Sequence, residues 1–133
     1  MIDTYSVALS TLVEEFHLEV LNTASDFSSI RLTVEEVARP GLQLAGFFDH
    51  YEPMRLQVMG NVEMSYMAQL PESERSRIYD RLFAYRFPAM LIARGITPDE
   101  QLMTFARKHD ITVLSTPERT STIISGIDRK SVV

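Results

Sequence analysis

Residues 88–114 read PAMLIARGITPDEQLMTFARKHDITVL, and this stretch decides the fold. The unbroken apolar run from Pro88 to Ala93 is typical of a strand that helices cover on both faces. Arg94-Gly95 ends the run. Thr97-Pro98-Asp99-Glu100 then carries three helix-start signals: a capping threonine, a proline at the first helical position and a glutamate that closes a capping box. Ile111 to Leu114 is a second, β-branched strand. The stretch therefore predicts a strand–helix–strand unit with parallel strands and a right-handed crossover.

Outward from this unit, apolar periodicity and turn residues predict further elements. The predicted strands are Leu18 to Leu21, Ile30 to Leu32 and Leu56 to Met59. The predicted helices start at a Ser6 cap, at the Thr33-Val34-Glu35-Glu36 capping box, at an Asn61 cap, at Pro71 and at Thr116-Pro117. We therefore expect one α/β domain over residues 1–133, with three α/β/α layers and a small, mostly parallel or mixed sheet.

Composition limits the function classes. The chain has 133 residues, 45% of them hydrophobic and 23% charged, which is typical of one soluble globular domain. It has no cysteine, so disulfides, thiolate metal sites and thiol nucleophiles are excluded. We see no signal peptide, and the longest apolar run falls well short of the ~20 residues that span a bilayer, so we expect a cytoplasmic protein with no membrane partner. A net charge of −5 argues against a nucleic-acid partner.

A second informative stretch, the glycine segment, covers residues 39–48 and reads RPGLQLAGFF. It fits neither the helical nor the strand period. Its two glycines are costly to order, and Pro40 biases Arg39 away from helical angles. The segment therefore predicts a specific backbone path, followed by a loop from Asp49 to Pro53.

Several separated motifs resemble the N-terminal domain of the HPr kinase/phosphorylase family. They are the glycine segment, the stretch from Tyr51 to Gly60, the stretch from Asn61 to Arg75, and the stretch from Ala93 to Glu100. The resemblance covers nearly the whole chain, in order. Two departures stand out. Phe87-Pro88-Ala89 keeps only the proline of the family's threonine-proline-cysteine-like entry to the apolar strand, and the family's phosphate loop, Gly-x-x-x-x-Gly-Lys-[Ser/Thr], is absent.

The resemblance implies that this chain is the non-catalytic N-terminal domain of a bifunctional bacterial enzyme. The parent would phosphorylate a serine of the phosphocarrier protein HPr and remove that phosphate by phosphorolysis, in carbon catabolite repression. Its ATP or pyrophosphate and its magnesium would be held by a catalytic domain after residue 133. The resemblance also implies a fold similar to Mur ligase N-terminal domains. The implied partners are the parent's own catalytic domain and the other subunits of a homo-oligomer.

The chain itself offers weak candidates for catalysis or metal binding. His17, His50 and His109 share no ligand spacing, and His17 and His109 follow predicted helices, where a cation suits the helix dipole. Asp49, His50 and Glu52 lie close enough in sequence to bind a divalent ion, although a mixed polar loop is the commoner explanation. Phosphoryl transfer also needs a phosphate cradle, which the sequence lacks. We expect no catalytic residue, metal or cofactor in this chain.

One binding hypothesis comes from the two turns that lead from a strand into a helix. Ligands of open α/β sheets bind at the carboxyl ends of strands, and helix N-termini favour anions there. The residues of this predicted anion or effector site are Arg39, Arg94, Gly95, Thr97, Ser115 and Thr116. The matching alternative function is a stand-alone domain of Mur-ligase-like fold that recognises a phosphorylated or nucleotide ligand.

A competing hypothesis is an interaction surface. Aromatic residues and methionine are enriched at interfaces. In this chain they concentrate at the end of the glycine segment and in the residues that follow it. The predicted interface residues are Phe47, Phe48, Tyr51 and Met54. The same side chains could equally be core, so their exposure decides between the two interpretations.

Overall fold

The computed structural model describes residues 6–33, 37–49 and 51–130. The strands are β1 (Ser6–Ala8), β2 (Glu19–Asn22), β3 (Arg31–Thr33), β4 (Gln57–Met59), β5 (Ala89–Ile92) and β6 (Thr112–Ser115). The helices are α1 (Leu9–Glu15), α2 (Gly41–Leu44), α3 (Asn61–Ala68), α4 (Glu72–Phe83), α5 (Glu100–Lys108) and α6 (Thr120–Lys130), with a 3-10 turn at Phe27–Ser29.

The main sheet is mixed and has the strand order β2-β6-β5-β4. β4, β5 and β6 are parallel, with Met90 opposite Val113, while β2 at the edge runs antiparallel to β6. β1 and β3 form a separate antiparallel pair. The predicted strand–helix–strand unit is confirmed as β5-α5-β6, and each predicted strand is present to within a residue or two at either end.

Two apolar clusters cover the two faces of the main sheet, because side chains alternate along a strand. On one face, Val58, Leu91 and Leu114 pack with residues of α1 and α6. On the other face lie Met59, Met90, Ile92 and Val113, and the helices α2 to α5 contribute to their cluster Leu44, Met67, Tyr79, Leu82, Phe83, Leu102 and Ala106. All four residues of β5 are buried, as its continuous apolar sequence predicts. The three α/β/α layers follow from this arrangement.

Five helices begin at other residues than the sequence predicts. Ser6 does not cap α1: it starts β1 and pairs with Thr33 across the small sheet. Three of the remaining shifts are small. Gly60 and not Asn61 precedes α3, and Pro71 lies just before α4. The cap of α5 is Asp99 and not Thr97, because the Asp99 side chain accepts from the Leu102 N–H. The predicted helix at Thr33 to Glu36 falls mostly on residues 34–36, which lie outside the described part of the chain.

The shift at the last helix is larger, because Thr116 and Pro117 belong to a turn and α6 starts only at Thr120. The Thr116 N–H donates to the carbonyl of Ile92 at 3.0 Å, which holds Thr116 in the sheet. Its hydroxyl accepts a hydrogen bond from the Glu118 N–H at 3.2 Å, a local turn that competes with helix formation.

The glycine segment contains one helical turn, α2, contrary to the expectation of no regular period. The turn closes with the Leu44 N–H donating to the Pro40 carbonyl at 2.9 Å. Gly46 then adopts a φ of 102°, a left-handed region that favours glycine, and the chain reverses there. The specific path that the sequence predicts is this turn and reversal.

Candidate functional site

The topology creates a crevice at the carboxyl ends of β5 and β6. The chain leaves β5 for α5 on one face of the sheet and leaves β6 for α6 on the other. Adjacent strands whose connections diverge in this way leave an opening between them, where open α/β sheets bind ligands. The opening, called here the switch-point crevice, has a volume of about 680 Å³.

Four parts of the chain line the switch-point crevice. Residues 95–98 come from the turn after β5, and Ser115 and Pro117 come from the end of β6 and the turn that follows. The remaining lining residues are His17 just before β2, Glu19 and Leu21 of β2, and Met103 of α5. The antiparallel edge strand therefore supplies one wall of a site that otherwise belongs to the parallel strands.

The turn after β5 is held in place by the turn after β6. Arg94 and Gly95 adopt φ values of 63° and 65°. The Arg94 N–H donates to the Glu118 carbonyl at 2.7 Å, and the Gly95 N–H donates to the Thr116 carbonyl at 2.8 Å. Left-handed angles are costly for a residue with a side chain, so these bonds fix a path that Arg94 would not adopt alone.

The structure brings together half of the predicted anion-site residues. Gly95, Thr97 and Ser115 line the switch-point crevice. Thr116 is buried beside it and bonds within its own turn. Arg94 contributes its backbone to the turn, but its exposed side chain is not among the lining groups. Arg39 lies elsewhere, beyond the end of β4.

Arg39 is engaged by the buried carboxylate of Glu63. Its Nε donates to Oε2 at 2.9 Å and its Nη2 donates to Oε1 at 2.8 Å. The Gly60 N–H also donates to Glu63 Oε1 at 2.9 Å. Burial alone would raise the pKa of Glu63, but the bonds from Arg39 and Gly60 outweigh it, and the net pKa is lowered. The guanidinium charge of Arg39 is therefore largely compensated where it stands.

The electrostatics of the switch-point crevice are set by Glu19 and His17. No Lys or Arg residue in the described ranges lines it. Nearby, Asp99 caps α5: its Oδ1 accepts from the Leu102 N–H at 2.7 Å, and its Oδ2 accepts from the Tyr79 hydroxyl at 3.1 Å. The Asp99 carboxylate therefore compensates the positive end of the α5 dipole. The arrangement suits binding, with one carboxylate and two hydroxyls on an apolar wall.

Sequence reasoning missed Glu19 and His17 as lining residues. Glu19 is the first residue of β2 and His17 lies just before it. The antiparallel pairing of β2 with β6 joins residues about 95 positions apart, such as Glu19 and Ser115. The alternation of Leu18-Glu19-Val20-Leu21 predicts a strand but carries no signal of its neighbour.

Two of the four predicted interface residues pack within this chain. The ring of Phe48 stacks on Tyr85 with centroids 5.0 Å apart, and the Arg81 guanidinium lies 4.1 Å from the Phe48 centroid. Tyr51 meets both rings edge-on. Burial raises the pKa of the Tyr51 hydroxyl, which has no hydrogen-bond partner among the described residues. The other two are exposed: Phe47 by 48% and Met54 by 62%.

A second exposed apolar area lies between α2 and α3. Leu42 of α2 and Ala45 directly after it face Val62 and Tyr66 of α3 across a groove of about 430 Å³. Val62 is 75% exposed. We call this area the α2–α3 surface. The sequence could have indicated Val62, because it lies off the helical stripe formed by Met64 and Met67.

Residues 6–33, 37–49 and 51–130 carry neither a metal-binding cluster nor a membrane-spanning helix. Within these ranges, no three His, Asp or Glu side chains are grouped so that they could hold a metal ion. The predicted candidate group of Asp49, His50 and Glu52 includes His50, which lies outside the described residues. No helix in the same ranges is long and apolar enough to cross a membrane.

Comparison with solved structures supports the fold. The CBS and DRTGG domains of the regulatory region of a Clostridium perfringens pyrophosphatase, crystallised with the activator diadenosine tetraphosphate, have a similar structure. The TM-score is 0.64 at 17% sequence identity, over 91% of this chain and 46% of that one. At this identity the likeness concerns the fold alone.

Comparison of sequences identifies the family. The sequence model of the family described as HPr Serine kinase N terminus matches residues 7–129. The HPr kinase/phosphorylase of Caldanaerobacter subterraneus subsp. tengcongensis is 35% identical over 121 residues, which are 91% of this chain and 39% of that protein. The one of Lachnoclostridium phytofermentans is 34% identical over 125 residues, 94% of this chain and 40% of that protein. This chain thus spans about two fifths of the length of these curated relatives. The chain belongs to the HPr Serine kinase N terminus family.

Proposed function

We propose that this chain is the non-catalytic assembly and regulatory domain of a bifunctional, cytoplasmic HPr kinase/phosphorylase. The parent would phosphorylate and dephosphorylate a serine of HPr in carbon catabolite repression. The observation that carries the proposal is the match of 91% of this chain to only 39% of a protein named HPr kinase/phosphorylase. The other three fifths of such a protein leave room for a separate catalytic domain.

The residues of this chain do not fit the cofactors of phosphoryl transfer. That chemistry needs a phosphate cradle and carboxylates that hold magnesium. The sequence has no Gly-x-x-x-x-Gly-Lys-[Ser/Thr] pattern, and the described lining of the switch-point crevice offers Glu19 as its one carboxylate. The proposal therefore assigns ATP or pyrophosphate, and magnesium, to the parent's catalytic domain.

Two features support a role in assembly and regulation. The exposed side chains of Phe47 and Met54 and the α2–α3 surface suit contacts with other subunits or with the catalytic domain, because apolar and aromatic groups are enriched in interface cores. The switch-point crevice offers a place for an effector.

The test begins with the gene. A reading frame that continues past the codon for Val133 into a strand, the phosphate-loop pattern and a helix would support the proposal. The whole gene product should then phosphorylate HPr with ATP and magnesium, and residues 1–133 alone should not. A stop codon directly after Val133, or phosphate transfer by residues 1–133, would overturn the proposal.

The second candidate is a stand-alone ligand-binding domain of Mur-ligase-like fold that recognises a phosphorylated or nucleotide ligand. The volume of the switch-point crevice would accommodate such a ligand, and the structurally similar pyrophosphatase region was crystallised with a dinucleotide activator. Isothermal titration with phosphate, ATP, UDP-sugars and fructose bisphosphate tests this candidate. The absence of heat with all of them at millimolar concentration would rule it out.

A further inference from the structure

We propose that the switch-point crevice binds a small molecule with an apolar body and an N–H donor group, and not a phosphate group. The donor is either a protonated amine or an exocyclic amino group on an aromatic ring. The inference rests on the proposed regulatory function in one respect: it gives the effector of that domain a chemical class.

The charge of the switch-point crevice favours a donor. Glu19 is exposed there, and its carboxylate has no hydrogen bond or ion pair with the described residues. An ionised carboxylate only accepts hydrogen bonds, and it repels a phosphate. The hydroxyls of Thr97 and Ser115 can serve either kind of ligand. His17 is the other titratable group in the lining, and Glu19 is the one carboxylate among the described lining residues, so Glu19 is the group that an N–H donor would contact.

Most of the backbone donors that would cradle a phosphate are already used or missing. The N–H groups of Arg94 and Gly95 donate to the carbonyls of the turn after β6, and the Ile96 N–H donates to the Ala93 carbonyl at 3.3 Å. Pro98 and Pro117 have no N–H to offer. The first turn of α5 is capped by Asp99, as described above. These groups therefore leave a phosphate little to bind.

The shape of the switch-point crevice favours an apolar body. The side chains of Leu21, Ile96 and Met103 line it and are only half-buried, so they still have surface to cover. A volume of about 680 Å³ lies within the usual ~300–1,000 Å³ of small-molecule sites. Methionine adapts its shape to a bound ring, which suits a flat ligand.

The test is an NMR titration of residues 1–133 carrying labelled Ile and Met methyl groups. The probes are tryptamine for the amine, adenosine for the exocyclic amino group, and inorganic phosphate and pyrophosphate for anions. We expect tryptamine or adenosine to shift the Ile96 and Met103 methyl signals in a saturable way at millimolar concentration. We expect the two anions to leave these signals in place.

Matched variants locate the contact. Glu19→Gln keeps the size of the side chain and removes its charge, and it should weaken binding of the active probe about tenfold. Glu118→Gln, an exposed carboxylate on the neighbouring turn that does not line the crevice, should leave binding unchanged. The proposal is wrong if neither tryptamine nor adenosine shifts the signals, if an anion shifts them instead, or if Glu19→Gln binds as before. HPr and the gene play no part in this experiment, so its failure is distinct from failure of the proposed function.

Discussion

Arg39 and Glu63 form a two-bond ion pair that ties the glycine segment to the start of α3. The carboxylate is only 5% exposed, whereas the guanidinium is 37% exposed. The same carboxylate accepts the Gly60 N–H at the end of β4. One buried side chain thus connects the glycine segment, the end of β4 and the start of α3, and its loss should destabilise all three.

Replacing Glu63 by Gln should lower the free energy of unfolding by about 2 kcal/mol at pH 7. The variant keeps the shape but leaves the Arg39 charge without its partner. Partial exposure of Arg39 keeps the loss below that of a fully buried pair. Urea denaturation measures the change, with the exposed Glu118→Gln as the control, for which we expect a change within about 0.5 kcal/mol. Equal effects in the two variants would show that the pair adds no stability.

The same pair predicts a dependence on pH. The pKa of Glu63 is lowered in the folded chain, so its contribution is complete above the ordinary Glu pKa of about 4.3 and is lost as the pH falls through the folded value. The difference in the free energy of unfolding between the unsubstituted chain and Glu63→Gln should therefore shrink below about pH 4. A difference that stays constant from pH 7 to pH 2 would contradict this origin.

The start of α5 offers a comparison between two capping candidates. Asp99→Ala should lower the free energy of unfolding by about 1–2 kcal/mol, because it removes the cap on the Leu102 N–H. It also removes the acceptor of the Tyr79 hydroxyl. Thr97→Ala should change it by less than about 0.5 kcal/mol, since Thr97 is exposed and precedes the helix. Thermal unfolding of the two variants measures both, and a larger loss for Thr97→Ala would reverse the assignment.

This comparison also shows where sequence reasoning stops. The continuous apolar run from Pro88 to Ala93 and the β-branched run from Ile111 to Leu114 predict two buried parallel strands, because continuous apolar sequence is the signal of a strand covered on both faces. The structure has these strands at Ala89–Ile92 and Thr112–Ser115. The start of α5 is different, since Thr97 and Asp99 are both good caps. Asp99, which is the cap, also accepts a hydrogen bond from Tyr79 of α4. Such a contact between distant residues cannot be predicted from the local sequence.

The candidate site divides in the same way. Gly95, Thr97 and Ser115 can be predicted, because they follow strands whose carboxyl ends share one edge. Glu19 cannot, because its place depends on the pairing of β2 with β6. Arg39 shows the opposite error: a lone arginine beside a glycine suggests an anion, but its carboxylate partner lies 24 residues further along the chain.

Two tyrosines should resist ionisation. Burial raises the pKa of Tyr79, and the nearby Asp99 carboxylate raises it further. Burial also raises the pKa of Tyr51, with a smaller contribution from Tyr85. Because the folded values are raised, the stability from these groups is complete below the ordinary Tyr pKa of about 10 and is lost as the pH rises beyond it.

Absorbance at alkaline pH measures this property. Of the five tyrosines in the chain, at least two should ionise only as the fold is lost, so the titration should end in a cooperative step that coincides with the loss of helical circular dichroism. Tyr79→Phe should remove one proton from that step and leave the earlier part of the curve unchanged. Smooth ionisation of all five tyrosines in a chain that stays folded would contradict the burial of both hydroxyls.

Phe47 and Phe48 are neighbours in sequence, but we expect their substitutions to affect different properties. Phe48→Ala should lower the free energy of unfolding by about 2–3 kcal/mol, because it removes the ring that stacks on Tyr85 and supports the Arg81 guanidinium. Phe47→Ser should change the free energy of unfolding by less than about 1 kcal/mol, because about half of the Phe47 side chain is exposed. If the exposed apolar groups form the proposed subunit contact, Phe47→Ser should instead weaken self-association about tenfold. Sedimentation at a series of concentrations measures association, and urea denaturation measures stability. An unsubstituted chain that stays monomeric at every concentration would contradict self-association through either surface of this domain. A Phe47→Ser chain that associates as the unsubstituted chain does would remove Phe47 from the interface and leave the α2–α3 surface as the candidate contact.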